Sequence, residues 1–84
     1  MVEVIHQPEL QRFVIDSQGV KSVLTYRLFE QDGRQAIDFN STYVPPSLRG
    51  HGLAEKLVRS GLHWAKAQGY LLNASCWYVA KFIR

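Results

Sequence analysis

The hydrophobic pattern of this chain first changes period at residues 44–54, VPPSLRGHGLA. Before it, apolar residues alternate as in strands; just after it, they recur at helical spacing. Pro45 and Pro46 cannot donate to a sheet ladder, so they end the last strand abruptly. Gly50 and Gly52 let the backbone approach a ligand with no Cβ in the way. The helix that follows opens with free N–H groups and a partial positive charge, and Arg49 adds a forked cationic donor beside them. A strand-to-helix crossing built in this way suits an anion, a phosphate above all.

The segments on either side define the expected order of elements. Residues 1–10 carry weak periodicity interrupted by Pro8, and His6 there reads as a surface residue. Residues 11–16 form a short strand that ends in the turn cluster Asp16-Ser17-Gln18-Gly19. Residues 20–30 alternate, with Val20, Leu24, Tyr26 and Leu28 on one face. Asp32-Gly33 is a hairpin signal, and residues 35–44 alternate again, with Ile37, Phe39 and Tyr43 opposite Asp38, Asn40 and Thr42. From Gly52 to Gln68 the chain is an amphipathic helix whose inner half holds Leu53, Ala54, Leu57, Val58, Gly61, Leu62, Trp64 and Ala65, with Gly69 as its stop. Residues 70–74 read as a buried strand, parallel to the one before the loop because a helix joins the two. Ser75 is placed to cap a last short helix carrying Val79, Phe82 and Ile83 on one face. The expected fold is an α+β arrangement: about three antiparallel strands, then loop, helix, strand and helix.

Composition narrows the function classes. Eighty-four residues make one domain, 1–84, near the lower limit for a self-sufficient core, so a homodimer or a bound cofactor has room to add stability. A net charge of +3 and a pI of about 9.3 favour anionic ligands. A nucleic-acid binder is disfavoured, because there is no clustered basic stripe and no aromatic stacking motif on a sheet face. Cys76 is the single cysteine, so neither an internal disulfide nor a cysteine metal pair forms. No apolar run approaches the ~20 residues of a membrane span. The expectation is a soluble protein of the reducing cytoplasm.

The identity of the anion follows from what the loop lacks. No Gly-Lys-Ser/Thr ending makes it a Walker loop, and Glu55 stands where a dinucleotide fingerprint needs its third glycine. What remains is Arg49-Gly50-His51-Gly52-Leu53-Ala54, an R-x-x-G-x-A string that resembles the acetyl-CoA pyrophosphate loop of the GNAT acyltransferase superfamily. Thr42-Tyr43-Val44-Pro45-Pro46 before it and Cys76-Trp77-Tyr78-Val79 after it extend the resemblance over residues 36–84, to the very short, YjdJ-type single-domain members.

That resemblance implies a minimal GNAT fold, acetyl-CoA as donor, and an amine acceptor that the sequence does not name. It implies that the loop from Arg49 to Ala54, His51 included, holds the pyrophosphate, and that Tyr43 and Val44 run beside the pantetheine arm. Lys81, with Lys56 and Arg59, is a candidate for the 3′-phosphate. Asp38, the only acid on the strand before the loop, is the candidate base. Cys76 stands where many GNAT proteins have an Asn touching the pantetheine arm, as a cofactor contact or a nucleophile. Phe82 and Ile83 occupy the region where many members carry a tyrosine acid, so that role is vacant or falls to Tyr78. Transfer by direct attack on the thioester is the leading expectation; a CoA-binding or partner-binding module without efficient turnover is the alternative.

Overall fold

A computed structural model describes residues 2–83. Its elements run β1 (Ile5–Gln7), β2 (Arg12–Ser17), β3 (Val20–Gln31), β4 (Arg34–Tyr43), α1 (Leu53–Ala67), β5 (Leu71–Ala74) and α2 (Trp77–Ile83), with single 3-10 turns at Pro8–Leu10 and Pro46–Leu48. The five strands form one mixed sheet in sequence order. The first four are antiparallel neighbours, and β5 joins β4 in parallel. The α+β architecture and the parallel return after α1 are as expected from the pattern.

Asp32 and Gly33 both take positive φ, giving a two-residue turn whose twist matches the strands it joins. Residues of the inner sheet face, including Phe13, Leu24, Tyr26, Ile37 and Phe39, share one buried cluster with Leu53, Leu57, Val58, Leu62 and Ala65 of α1 and Val79 of α2. The helix lies close to the sheet at Gly61. A Cβ there would stand 2.9 Å from Leu24 Cδ2 and 3.0 Å from Phe39 Cε1, so only hydrogen fits.

Several expectations are corrected. A fourth antiparallel strand, β1, exists where the periodicity is weak: it pairs with β2, Arg12 Nε donates to Gln7 Oε1 at 2.6 Å, and His6 anchors it to the core. The His6 ring stacks on Phe13 at 4.1 Å between centroids, meets the Trp64 ring edge at 4.4 Å, and its Nε2 bonds the Tyr26 hydroxyl at 2.6 Å. His6 is therefore half-buried, and burial lowers its pKa although Glu9 pulls the other way. Val20 is 40% exposed at the strand start, while Ser22, across from Ile15, is buried. The strand β5 is half-buried along its length, since it is the sheet edge.

The alternation along β4 also breaks. Tyr26 pairs with Phe39 but Thr25 pairs with Ser41, so Asn40 is an extra residue, a β-bulge, with its Oδ1 accepting from the Thr25 hydroxyl at 2.5 Å. One extra residue reverses the parity beyond it. Thr42, not Tyr43, lies across from the core residue Leu24, and Tyr43 lies across from Val23, 49% exposed.

Candidate functional site

The parallel pairing of β4 with β5 ends at Phe39 and Ala74, after which the two chains part. Beyond that point β4 continues from Asn40 to Tyr43 with β3 on one side and no strand on the other. Two adjoining cavities open at this separation. One, of about 240 Å³, is walled by Val44, Leu48, Arg49, Gly50, Gly52, Leu53, Ala54, Glu55 and Tyr78. The other, of about 410 Å³, is walled by Thr42, Tyr43, Val44, Arg49, Ala54, Cys76, Trp77 and Tyr78. They share Val44, Arg49, Ala54 and Tyr78, so a single trough runs from the loop along the end of β4 to Cys76.

The loop end is built from local rules. Gly50 and Gly52 adopt φ of +86° and +76°, and a Cβ at either would meet only open space. Their need for glycine is thus backbone conformation, not crowding by the protein. Gly52 is the residue before α1 and supplies no side-chain cap, so none occupies the first N–H groups of this fifteen-residue helix, whose first residues Leu53, Ala54 and Glu55 line the trough. Arg49 Nε donates to the Val44 carbonyl at 2.9 Å, which anchors the guanidinium beside the loop. Glu55 lies in the same wall, where its carboxylate is held by Arg59 Nε at 2.7 Å.

At the other end, Cys76 Sγ lies 3.6 Å from the Thr42 hydroxyl. Burial pushes this thiol up, but the Val79 N–H, the Thr42 hydroxyl and the N–H groups of Tyr78 and Thr42 together bring it below its ordinary value. The bulge at Asn40 is what turns Thr42 toward this sulfur. Burial and the Glu55 carboxylate raise the Tyr78 phenol, with Arg59 opposing, so Tyr78 keeps its proton near neutrality.

Of the residues expected from sequence, Tyr43, Val44, Arg49, Gly50, Gly52, Leu53, Ala54, Cys76 and Tyr78 are brought together around the trough. His51 is exposed in the loop and lines neither cavity. Lys81 lies outside both walls, its Nζ 4.7 Å from the Trp77 ring centroid and 5.1 Å from that of Tyr78. Asp38 is not an exposed strand carboxylate: it is 8% exposed, lines neither cavity, and accepts from Ser75 through both oxygens. Ser75 accordingly does not cap α2 with its hydroxyl; the Cys76 carbonyl takes the first helical bond, from Ala80 N–H at 3.0 Å. Thr42, Leu48 and Trp77 are wall residues without a role assigned from sequence. Thr42 would have been found only by knowing the bulge, whereas Trp77, 72% exposed beside Cys76, was signalled by an apolar residue on a polar helix face.

A family model described as GCN5-related N-acetyl-transferase matches residues 12–84. Protein NATD1 of Bos taurus is 28% identical over 85 residues, covering 99% of this chain and 73% of that protein. Protein NATD1 of Homo sapiens is 27% identical with the same coverage, and that of Danio rerio 28% identical over 99% of this chain and 74% of its own length.

Proposed function

This chain belongs to the GCN5-related N-acetyltransferase family, and on that premise we propose that it transfers acetyl from acetyl-CoA to an amine by direct attack. The observation that carries the proposal is the continuous trough from the α1 N-terminus to Cys76, bordered by a strand end with one side unpaired. Acetyl-CoA, when bound, supplies a thioester whose carbonyl carbon the acceptor nitrogen attacks, with the CoA sulfur leaving.

The chain's own groups then take these roles. The α1 N-terminal N–H groups and Arg49 hold the pyrophosphate. The open side of β4 at Tyr43 and Val44 aligns the pantetheine arm. Thr42 and Cys76 flank the reacting end, and Cys76 is a contact rather than a covalent carrier. Tyr78, protonated near neutrality, would donate a proton to the departing sulfur and be restored by the proton that the acylated nitrogen releases. Neither a histidine nor a free carboxylate lines the trough among the described residues, since Glu55 is paired with Arg59. That fact favours an acceptor that arrives as the neutral amine, and it also supports a second reading, a CoA-binding module without turnover. No helix among the described residues is long and apolar enough to cross a membrane.

Calorimetry with CoA, for wild type and Gly52→Val, tests the binding half. Wild type binds; the variant, forced from a left-handed φ and with a branched side chain in the phosphate site, does not. A folded wild type without CoA binding overturns the proposal. Mass spectrometry of lysine peptides and polyamines incubated with labelled acetyl-CoA then separates the readings: acetylated amine marks a transferase, binding without product a module.

A further inference from the structure

We propose that Asp38 is a positioning residue, a buried latch that holds the chain after β5 against β4 and thereby sets Cys76 in the trough wall. This rests on the cavity's being the CoA site, but the latch itself is defined by geometry alone. In register, Asp38 lies between Arg27 of β3 and Asn73 of β5. The Ser75 N–H donates to its Oδ1 and the Ser75 hydroxyl to its Oδ2, both at 2.7 Å. One residue on, the Cys76 N–H donates to the Phe39 carbonyl at 3.1 Å. Three hydrogen bonds thus tie residues 75 and 76 to residues 38 and 39, at the place where regular strand pairing stops.

The consequences run outward from there. Once Ser75 is held, Cys76 is directed to Thr42, and its carbonyl begins α2. The groups that bring the thiol below its ordinary value include the N–H groups of Tyr78 and Val79, in the first turn of that same helix. The titratable and charged side chains sharing the cavity wall with the thiol are Tyr43, Tyr78 and Arg49. Asp38 reaches none of this space, and both its oxygens are occupied, so it acts through Ser75 and Cys76 and not on the acceptor amine. A carboxylate is suited to the task because it accepts a backbone and a hydroxyl donor at once, with charge-assisted strength. An apolar replacement leaves both donors without a partner.

Cys76 is the only cysteine, so the pH dependence of iodoacetamide alkylation reports its surroundings without any cofactor present. In wild type the alkylation midpoint lies below that of free cysteine. In Asp38→Ala it moves up to the free-cysteine value, and the Kd for CoA rises about tenfold or more. Asp38→Asn, which keeps one acceptor for the Ser75 N–H, restores both quantities close to wild type. Ser75→Ala, which removes only the hydroxyl bond from an exposed residue, gives a smaller shift in the same direction and serves where Asp38→Ala does not fold. A folded Asp38→Ala, or failing that Ser75→Ala, with an unchanged midpoint overturns the latch. So does an Asp38→Asn that loses acetyl transfer while keeping thiol midpoint and CoA affinity, because that result assigns Asp38 as the base. Absence of CoA binding in wild type would refute the cofactor reading alone, since the thiol measurement stands without it.

Discussion

The strand β4 is two different objects. Residues 36–39 pair with β3 on one side and β5 on the other, and all four side chains are buried. Residues 40–43 begin with the bulge at Asn40, pair from Ser41 onward with β3 alone, and leave Asn40, Ser41 and Tyr43 exposed with Thr42 half-buried. The first half uses its hydrogen bonds and side chains to hold the sheet and α1 together. The second half keeps one backbone side open along the trough. Rigidity in one segment therefore supports an open edge in the next, so a short chain carries both a core and a cleft on the same strand.

The largest expected effect separates the two halves directly. Phe39→Ala should cost ~3–5 kcal/mol, because it empties a fully buried site between β3, α1 and the strand itself. Tyr43→Ala should change stability by less than ~0.5 kcal/mol while weakening CoA binding. Urea unfolding of both variants measures the contrast, and similar losses in the two would dissolve it.

A smaller loss is expected at Gly61, the contact on which the buried half rests. Gly61→Ala should destabilise by ~1–3 kcal/mol, since the new methyl meets Leu24 and the rigid Phe39 ring at once. The same denaturation experiment should register no cost if α1 can lift freely from the sheet.

His6, on the edge strand β1 at the far edge of the sheet from β5, gives a milder dependence on pH that should leave the trough untouched. Its folded pKa is lowered, so the unfolded chain takes up the proton first as pH falls. Stability from this group is complete above the unfolded value of about 6.5 and is lost as pH drops from there toward the folded value. Thermal melts from pH 7.5 downward should show that loss in wild type and a flatter profile in His6→Gln. Equal slopes would mean that the His6–Tyr26 contact contributes nothing.

The smallest effect is electronic. Thr42→Val keeps the shape beside Cys76 but removes a hydroxyl that lowers the thiol, so the alkylation midpoint should rise slightly with no change in melting temperature. An unchanged midpoint would show that the bulge places Thr42 near the sulfur without affecting its chemistry.

What the amino-acid sequence determined by itself is the part governed by near neighbours. The inner face of α1, its glycine-flanked ends, the Asp32-Gly33 turn and the phosphate-suited loop all follow from spacing and backbone preference within a few residues. The parallel return of β5 follows as well, because a helical crossover leaves little choice. Tertiary structure alone decided the rest. No local pattern marks Asn40 as the extra residue, since a bulge is defined only against its partner strand, yet it determines that Thr42 and not Tyr43 turns toward Cys76. β1 is held by a histidine whose aromatic partners lie on β2, β3 and α1, and so its weak periodicity concealed it. Asp38 sits on the polar side of an alternating strand but is buried by a serine 37 residues away. Spacing along a chain carries local geometry; which polar groups end up satisfying one another is decided only when distant segments meet.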